Sequence, residues 1–171
     1  MQKSTDNQEE IFDVVDEDDK VIGKTTRGET YKNKNLIHRS IYVAIFNKKD
    51  EIFMQQRSAT KDTDPLKWTI SCTGHVGSGN SYEQVAHREL GEELGVDTDL
   101  EFVDKFLVRY PNETEMVTLY KANANGPFVI NNEEIRQGQF IDQKRLRKKI
   151  KFGGIKLALT GEIALKYLGW R

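Results

Sequence analysis

The chain is predicted to fold as an α/β domain with a mixed sheet, and three observations support this fold class. Residues 41–46 form a continuous apolar run, which is typical of a buried central strand. Residues 82–94 have the periodicity of an amphipathic helix. Short strand patterns stand before and after that helix, an order that places a sheet between helices. We expect a single domain over residues 10–171, preceded by a flexible tail over residues 1–9.

The first half of the chain is predicted to consist of strands joined by turns. Acidic residues 16–19 are typical of the turn of a hairpin. Residues 28–36 are polar, so a loop is expected there, and residues 47–51 form a turn between two strands. The last strand of this half leads into a glycine-rich loop. Strands are therefore expected at residues 11–15, 20–23, 41–46, 52–56 and 67–72.

The second half is predicted to contain three strands and two helices after the helix at residues 82–94. A turn at residues 110–113 joins the first two of these strands, and Gly126-Pro127 breaks the chain before the third. The basic run 144–151 begins a helix whose charges form a solvated face. Gly153-Gly154 separates it from the last helix. The strands are expected at residues 101–108, 116–122 and 139–141, and the last helix at residues 157–168.

Composition excludes several functional classes. The net charge is -1, so there is no basic excess that would indicate a nucleic-acid partner. The only cysteine, Cys72, cannot form an intrachain disulfide and agrees with a reducing compartment. No apolar run approaches the roughly 20 residues of a membrane-spanning helix, and residues 1–10 are polar and acidic, unlike a signal peptide. We expect a cytoplasmic protein without a membrane partner, and the sequence leaves a homodimer open.

Three carboxylates lie close together on the helix at residues 82–94. Glu89, Glu92 and Glu93 are separated by helical spacings and are neighbours on its surface. The helix face that carries these carboxylates overlaps the apolar face of the helix, and Glu93 lies in the region of overlap. Three like charges repel one another, and a divalent cation such as magnesium, which prefers oxygen ligands, would offset that repulsion. A solvated charged face is the alternative, although Arg88 is the only nearby cation.

Both ends of this helix carry recognisable signals. Ser81 followed by Gln84 forms a capping box, in which each side chain accepts a hydrogen bond from a backbone amide at the first turn. Gly95 stands where a glycine in the left-handed conformation ends a helix. The helix is therefore expected to run between these residues.

A longer motif around this helix resembles the Nudix box. The family pattern is Gly-x5-Glu-x7-Arg-Glu-U-x-Glu-Glu-x-Gly-U, where U is aliphatic. This chain has Gly74-x5-Asn80-x7-Arg88-Glu89-Leu90-x-Glu92-Glu93-x-Gly95-Val96. Every fixed position matches except that Asn80 stands where the box has its first Glu. Further segments between residues 10 and 141 are similar to the isopentenyl-diphosphate isomerase branch of the family, namely His38-Arg39, Gln56-Arg57-Ser58-Ala59-Thr60-Lys61, Pro65-x2-Trp68-Thr69 and Gly74-His75-Val76.

The resemblance implies the α/β/α sandwich of the Nudix fold and the hydrolysis of a diphosphate joined to another moiety. In Nudix hydrolases a magnesium or manganese ion is bound by the helix carboxylates, which match Glu89, Glu92 and Glu93. In the isomerase branch the diphosphate is held by basic residues, which match Arg27, Arg57 and Lys61. The expected partner is therefore a small-molecule diphosphate, either a nucleoside diphosphate derivative or a small organic diphosphate.

The resemblance also implies a second metal site. Isomerases of this branch hold a divalent ion with three histidines and two glutamates. Four of these ligands match His38, His75, Glu113 and Glu115. The fifth aligns with Tyr31, which is a poor ligand at neutral pH because the pKa of tyrosine is about 10. Imidazole and carboxylate ligands suit a transition metal, and the sequence leaves open whether this site is formed.

The catalytic chemistry separates hydrolysis from isomerisation. The isomerase uses a cysteine directly before its Gly-His pair, where this chain has Thr73. Cys72 is one residue earlier and, if the segment is a strand, points to the opposite face. Hydrolysis is therefore predicted, with an isomerase-like enzyme as the alternative. A non-catalytic diphosphate-binding module is a further alternative, because Asn80 loses the charge of the first Glu of the box.

Four glutamates are the candidate catalytic residues for that hydrolysis. Glu92 and Glu93 would act at the metal on the helix. The proton of the attacking water would be accepted by a carboxylate, for which the candidates are Glu93, Glu113 and Glu115.

Overall fold

The computed structural model describes residues 6–170, and within that range it contains nine strands and four helices. The strands are β1 Ile11–Val15, β2 Val21–Thr26, β3 Ile37–Phe46, β4 Ile52–Arg57, β5 Trp68–Thr69, β6 Cys72–His75, β7 Leu100–Arg109, β8 Thr114–Asn123 and β9 Ile135–Ile141. The helices are α1 Arg27–Thr30, α2 Tyr82–Leu94, α3 Gln143–Lys151 and α4 Leu159–Tyr167.

Strand β3 is the centre of a mixed sheet. It pairs in parallel with β8 from Ile37 opposite Thr114 to Phe46 opposite Asn123. Strands β1, β4 and β6 pair with β3 in the antiparallel direction, and β7 extends the sheet beyond β8. This arrangement confirms the predicted mixed sheet.

Strands β3 and β4 separate soon after they meet. Their pairing is recorded only at Phe46 opposite Ile52. Away from that point, β3 pairs instead with β6, and β4 pairs with β5 and β9. Such a division leaves room between the two strands, and the candidate functional site lies there.

Helices cover both faces of the sheet and give the expected α/β/α layers. Helix α2 buries Val85, Ala86, Leu90 and Leu94 against one face. Helices α3 and α4 bury Leu146, Ala164 and Leu165 against the other face. The burial of apolar side chains on both faces is the main stabilising contribution to such a fold.

The ends of α2 agree with the sequence signals. The Ser81 side chain accepts a hydrogen bond from the Gln84 amide, and the Gln84 side chain accepts one from the Ser81 amide. Gly95 has φ of 63°, the left-handed conformation that ends the helix. These caps fix the helix start and end, and with them the position of the three carboxylates.

Several element boundaries differ from the prediction. The single strand expected at residues 67–72 is two short strands, because β5 pairs with β4 whereas β6 pairs with β3. The predicted loop at residues 28–36 begins within helix α1, whose N-cap Thr26 accepts a hydrogen bond from the Glu29 amide. Strands β3 and β9 each begin about four residues earlier than expected, since long-range pairing with β8 and β4 extends them.

The predicted tail at residues 1–9 is described only in part. Residues 1–5 lie outside the described residues. The segment that follows contacts α1, since the Gly28 amide donates to the Gln8 carbonyl at 2.9 Å and the Arg27 amide donates to the Glu10 carbonyl at 2.8 Å. Within residues 6–170, no helix is both long enough and apolar enough to cross a membrane.

Replacing Gly161 by alanine should destabilise the fold. A Cβ at this position in α4 would lie 2.9 Å from Thr69 Cα and 3.0 Å from Trp68 O, and these backbone atoms belong to β5. We expect a loss of about 2 kcal/mol in the free energy of unfolding, because overpacking forces the backbone to shift. Urea denaturation measures this change.

Gly91→Ala in α2 is the matched control. No heavy atom lies within 4 Å of the added Cβ, so alanine should stabilise the helix by about 0.5–1 kcal/mol. Equal stability of Gly161→Ala and the unaltered chain would contradict the close approach of α4 to β5.

Candidate active site

A cavity of about 580 Å³ lies between the diverging strands β3 and β4 and reaches α2. All of the sequence-predicted site residues line it except His38, which is fully buried behind its wall. The lining members of that set are Arg27, Arg57, Lys61, His75, Glu89, Glu92, Glu93, Glu113 and Glu115. The fold therefore brings the predicted metal ligands and the predicted diphosphate ligands to one place.

Strand register places the histidines beside the glutamates. His38 on β3 lies opposite Glu115 on β8, and Ser40 on β3 lies opposite His75 on β6. Residues two apart on a strand face the same side of the sheet, so His38, His75 and Glu115 share one face. Glu113 precedes β8 and joins the same group.

The four side chains converge on a common point. Their ligand atoms all lie within 4.8 Å of one another. His38 Nε2 is 3.4 Å from Glu113 Oε2 and 3.9 Å from Glu115 Oε1. His75 Nε2 is 3.2 Å from Glu115 Oε1 and 3.9 Å from Glu113 Oε2. Among residues 6–170, this is the only group of His, Cys, Asp and Glu whose atoms converge in this way.

The chemistry of this group fits a divalent ion. His38 Nε2 and Glu113 Oε2 are buried and have no hydrogen-bond partner, although each is costly to bury alone. Burial holds the pKa of His75 well below its ordinary value, so the imidazole is neutral and able to bind a metal. Burial also raises the pKa of Glu115, and a bound cation would favour its ionised form.

The α2 carboxylates occupy three different environments. Glu93 is buried, the side chain of Glu89 is 18% exposed and that of Glu92 is 62% exposed. Arg88 lies 2.8 Å from Glu89 Oε1 and 3.8 Å from Glu92 Oε1. The three line the same cavity, but within the described part of the chain their oxygens do not converge as those of the histidine–glutamate group do.

Glu93 is the most perturbed of these carboxylates. Burial raises its pKa to about 8, and the charges of Glu89 and Glu134 add to the shift. The Gln55 amide donates to Glu93 Oε2 at 3.2 Å and to the Ser71 carbonyl at 3.3 Å. A carboxyl with such a pKa can accept or release a proton near neutral pH.

Of the three predicted diphosphate ligands, only Arg57 forms no ion pair with a carboxylate of the described chain. Its guanidinium donates to the carbonyl and the hydroxyl of Thr63. Lys61 Nζ lies 2.5 Å from Asp6 and 2.8 Å from Glu134. Arg57 therefore lines the cavity without an ion pair to any of residues 6–170.

Arg27 is enclosed by carboxylates of the chain itself. Its guanidinium lies 3.3 Å from Asp6, 3.4 Å from Asp62 and 3.7 Å from Glu10. Its ring neighbour is Tyr31, whose centroid is 6.0 Å from the guanidinium carbon. Burial and the charge of Glu113 raise the pKa of Tyr31, so this phenol stays neutral and does not complete the metal-ligand group.

Strand β6 separates the threonine from the cysteine as expected. Thr73 lies opposite Tyr42 and lines the cavity. Cys72 lies opposite Val43 on the other face and is fully buried in the apolar cluster beneath α2. Burial, and after it the charge of Glu93, raises the pKa of its thiol, which is therefore an apolar, protonated side chain.

Asn80 supports the loop that precedes α2. Its side chain donates to the Gly77 carbonyl at 3.1 Å, and its own amide donates to the same atom. The residue is exposed and does not line the cavity. The residue at which this chain departs from the box therefore lies outside the cavity lining.

Among the cavity residues that sequence reasoning missed, three contact predicted site residues as follows. Asp6 and Glu134 contact Lys61, and Gln55 contacts Glu93. None belongs to a motif, because each acts through a contact with a residue distant in sequence. The one available signal was charge balance, since the buried cations Arg27 and Lys61 require anionic partners.

The sequence is similar to that of known proteins over most of its length. The sequence profile described as the NUDIX domain matches residues 36–158. The chain is similar to isopentenyl-diphosphate Delta-isomerase 2 of Photorhabdus laumondii subsp. laumondii, with 32% identity over 147 residues that cover 83% of this chain and 82% of that protein. It is equally similar to an uncharacterised Nudix hydrolase of Streptomyces coelicolor, with 32% identity over 145 residues that cover 83% of this chain and 80% of that protein.

A solved structure supports the same architecture. A crystal structure from Deinococcus radiodurans superposes with a TM-score of 0.78 and covers 94% of this chain and 98% of that chain. Its sequence is 23% identical, so this likeness shows the fold alone.

Raising the pH should destabilise the metal-free protein. The folded chain holds a proton on Glu93 up to about pH 8, whereas the unfolded chain releases it near the ordinary value of 4.5. The folded state therefore binds more protons in this window, and the free energy of unfolding should fall as the pH rises through it. Glu93→Gln should reduce that fall by on the order of 2 kcal/mol.

Chemical denaturation at pH 5 and pH 8 with a chelator present measures the difference. Glu83→Gln, at an exposed position of the same helix, is the control and should keep the pH dependence of the unaltered chain. An unchanged pH dependence in Glu93→Gln would contradict the assignment.

Proposed function

The chain belongs to the Nudix family, and we propose that it is a divalent-metal-dependent hydrolase that cleaves the diphosphate linkage of a nucleoside diphosphate derivative or a small organic diphosphate. The observation that carries the proposal is one cavity lined by a convergent histidine–glutamate group, an acidic helix and basic side chains. A cytoplasmic location is part of the proposal, since Cys72 is a free, buried thiol.

The metal ligands fall into two sets. His38, His75, Glu113 and Glu115 form the set whose mixed nitrogen and oxygen donors suit manganese or another transition metal. The α2 carboxylates Glu89, Glu92 and Glu93 supply oxygen donors only, which suit magnesium. A bound divalent ion would neutralise charge on the phosphoryl oxygens and lower the pKa of a water molecule.

The basic residues orient the substrate. Arg57 presents a planar guanidinium that matches phosphate oxygens, and its hydrogen bonds to Thr63 fix its direction. Lys61 and Arg27 lie on the same cavity wall and add positive charge. The diphosphate would therefore sit between these cations and the acidic ligands.

A carboxylate of the cavity accepts the proton of the attacking water. Glu93 is the preferred candidate, because its pKa of about 8 suits proton transfer near neutral pH. Glu113 and Glu115 are the alternatives, and both line the cavity opposite α2. Gln55 holds the Glu93 carboxyl in position through its amide.

The geometry favours hydrolysis over isomerisation. Isomerisation would require an acidic group where Thr73 lines the cavity, and a hydroxyl is too weak an acid to protonate an alkene. Cys72 faces the apolar cluster instead. Incorporation of solvent deuterium into isopentenyl diphosphate would identify the isomerase alternative.

The position of Asn80 supports a catalytic role for the protein in preference to a role in binding alone. This residue lies outside the cavity lining, and its amide still bonds the loop before α2. Tight binding of a diphosphate without hydrolysis would instead identify a binding module.

Replacing Glu92 or Glu93 by glutamine should lower hydrolysis by about 100-fold or more, because each change removes a metal ligand or the proton acceptor. The assay measures monophosphate or phosphate released from a panel of diphosphates with magnesium or manganese. Glu83→Gln should retain the activity of the unaltered chain, since this exposed residue of α2 lies outside the cavity lining. Full activity of both the Glu92 and the Glu93 variant would refute the assignment of these α2 carboxylates to metal binding or proton transfer.

Replacing His38 by glutamine should weaken manganese binding by about tenfold or more, since one of four converging ligands is lost. His87→Gln is a matched control, because His87 is a half-buried histidine of α2 that pairs with Asp97 and lies outside the converging group. Calorimetric titration with manganese measures both variants without requiring turnover. Equal affinities in the two variants would show that the histidine–glutamate group does not bind the ion.

A further inference from the structure

The cations of the cavity already hold an anion of the chain. Asp6 Oδ1 lies 2.5 Å from Lys61 Nζ and 3.3 Å from Arg27, and Asp6 Oδ2 accepts the Asp62 amide at 3.1 Å. The Asp6 side chain is 5% exposed and lines the cavity. A carboxylate held by two cations and a backbone amide makes the same contacts that a phosphate oxygen would make.

Electrostatics keep Asp6 ionised in this position. Burial alone would raise its pKa, but hydrogen bonds from Lys61 and with Asp62 hold the pKa well below the ordinary range. Three further carboxylates lie close to the same cations, since Glu134 contacts Lys61, and Asp62 and Glu10 contact Arg27. Negative charge therefore exceeds positive charge here, and an incoming diphosphate would meet repulsion unless one carboxylate left.

Displacement of the Asp6 side chain would leave the strands and helices of the fold in place. Asp62 belongs to the loop after β4, and Glu134 precedes β9, whose Ile135 pairs with Arg57 of β4. Asp6 instead lies in no strand or helix and precedes the backbone bonds that join Gln8 and Glu10 to α1. Movement of the Asp6 side chain does not require those backbone bonds to break, nor the hydrogen bond that Gln8 Nε2 donates to the Asp6 carbonyl at 3.2 Å.

We propose that Asp6 is an internal competitor that occupies the diphosphate subsite at Lys61 and Arg27 and is displaced when a diphosphate binds. The inference rests on the proposed function only in taking the ligand to be a diphosphate. Asp6 then sets both affinity and selectivity. A diphosphate, with several negative charges, can replace a single carboxylate, whereas a monoanion gains little from the exchange.

The size of the effect on affinity depends on the fraction of molecules in which Asp6 has left the subsite. If Asp6 occupies the subsite nine-tenths of the time, the apparent affinity for the ligand falls about tenfold. Removal of the charge at Asp6 should therefore raise the apparent affinity for the ligand about tenfold. Arg57 is unaffected, because its contacts are to Thr63.

Titration with inorganic pyrophosphate, with divalent metals chelated, tests the inference without turnover. Asp6→Asn keeps the size of the side chain and should lower the dissociation constant about tenfold, and Asp6→Ala should do the same. Glu9→Gln is the matched control, because it removes an equal charge from an exposed position of the same segment. Its dissociation constant should equal that of the unaltered chain.

An unchanged or raised dissociation constant in Asp6→Asn and Asp6→Ala would overturn the inference. Absence of pyrophosphate binding in every variant would overturn it together with the diphosphate subsite. Binding that is tightened by Asp6→Asn in a protein that hydrolyses no diphosphate would support the inference and refute the proposed function.

A measurement on the unaltered chain does not depend on the folding of any variant. Addition of pyrophosphate should lower the heteronuclear NOE of the Asp6 and Asn7 amides, because the displaced segment becomes mobile on the picosecond to nanosecond timescale. An NOE that is unchanged or higher at saturating pyrophosphate would show that Asp6 stays in place, and would contradict displacement.

Discussion

Burial of several carboxylates in one cavity is the constraint on which the rest of the structure depends. Glu93, Glu113 and Glu115 are each less than a tenth exposed. Buried carboxylates must be protonated or paired with a cation, and the raised pKa of Glu93 and of Glu115 shows the cost of leaving them alone. Lys61 and Arg27 do not meet this demand, since they are paired with other carboxylates, and Arg57 donates its hydrogen bonds to Thr63. A divalent ion is the group that would complete the charge balance.

The division of the sheet between β3 and β4 is what places these carboxylates around one cavity. Parallel pairing of β3 with β8 and antiparallel pairing with β6 bring the histidines and glutamates to one face. Separation of β3 from β4 opens the cavity, and α2 closes it with carboxylates from the other side. Thus the same strand, β3, carries the central core of the sheet and the fully buried candidate ligand His38.

Sequence patterns that depend on neighbouring residues predicted much of the fold and of the candidate site. The features that the sequence did not predict depend on contacts between residues distant in sequence. The capping box at Ser81, the glycine Gly95 and the motif around α2 depend on residues close in sequence, so they could be read directly. The division of residues 67–72 into two strands could not, because it depends on which distant partner each strand selects. The same holds for Asp6 and Gln55, whose importance comes only from contacts across the cavity.

The central claim is that one cavity binds both the ion and the diphosphate. A crystal structure of the protein with manganese and methylene diphosphonate, a diphosphate analogue that resists hydrolysis, tests it most directly, because anomalous scattering locates the metal. The account predicts a manganese peak among His38, His75, Glu113 and Glu115, with the diphosphonate beside Arg57 in the same cavity. A diphosphonate bound outside this cavity, or no manganese within it, would contradict the account.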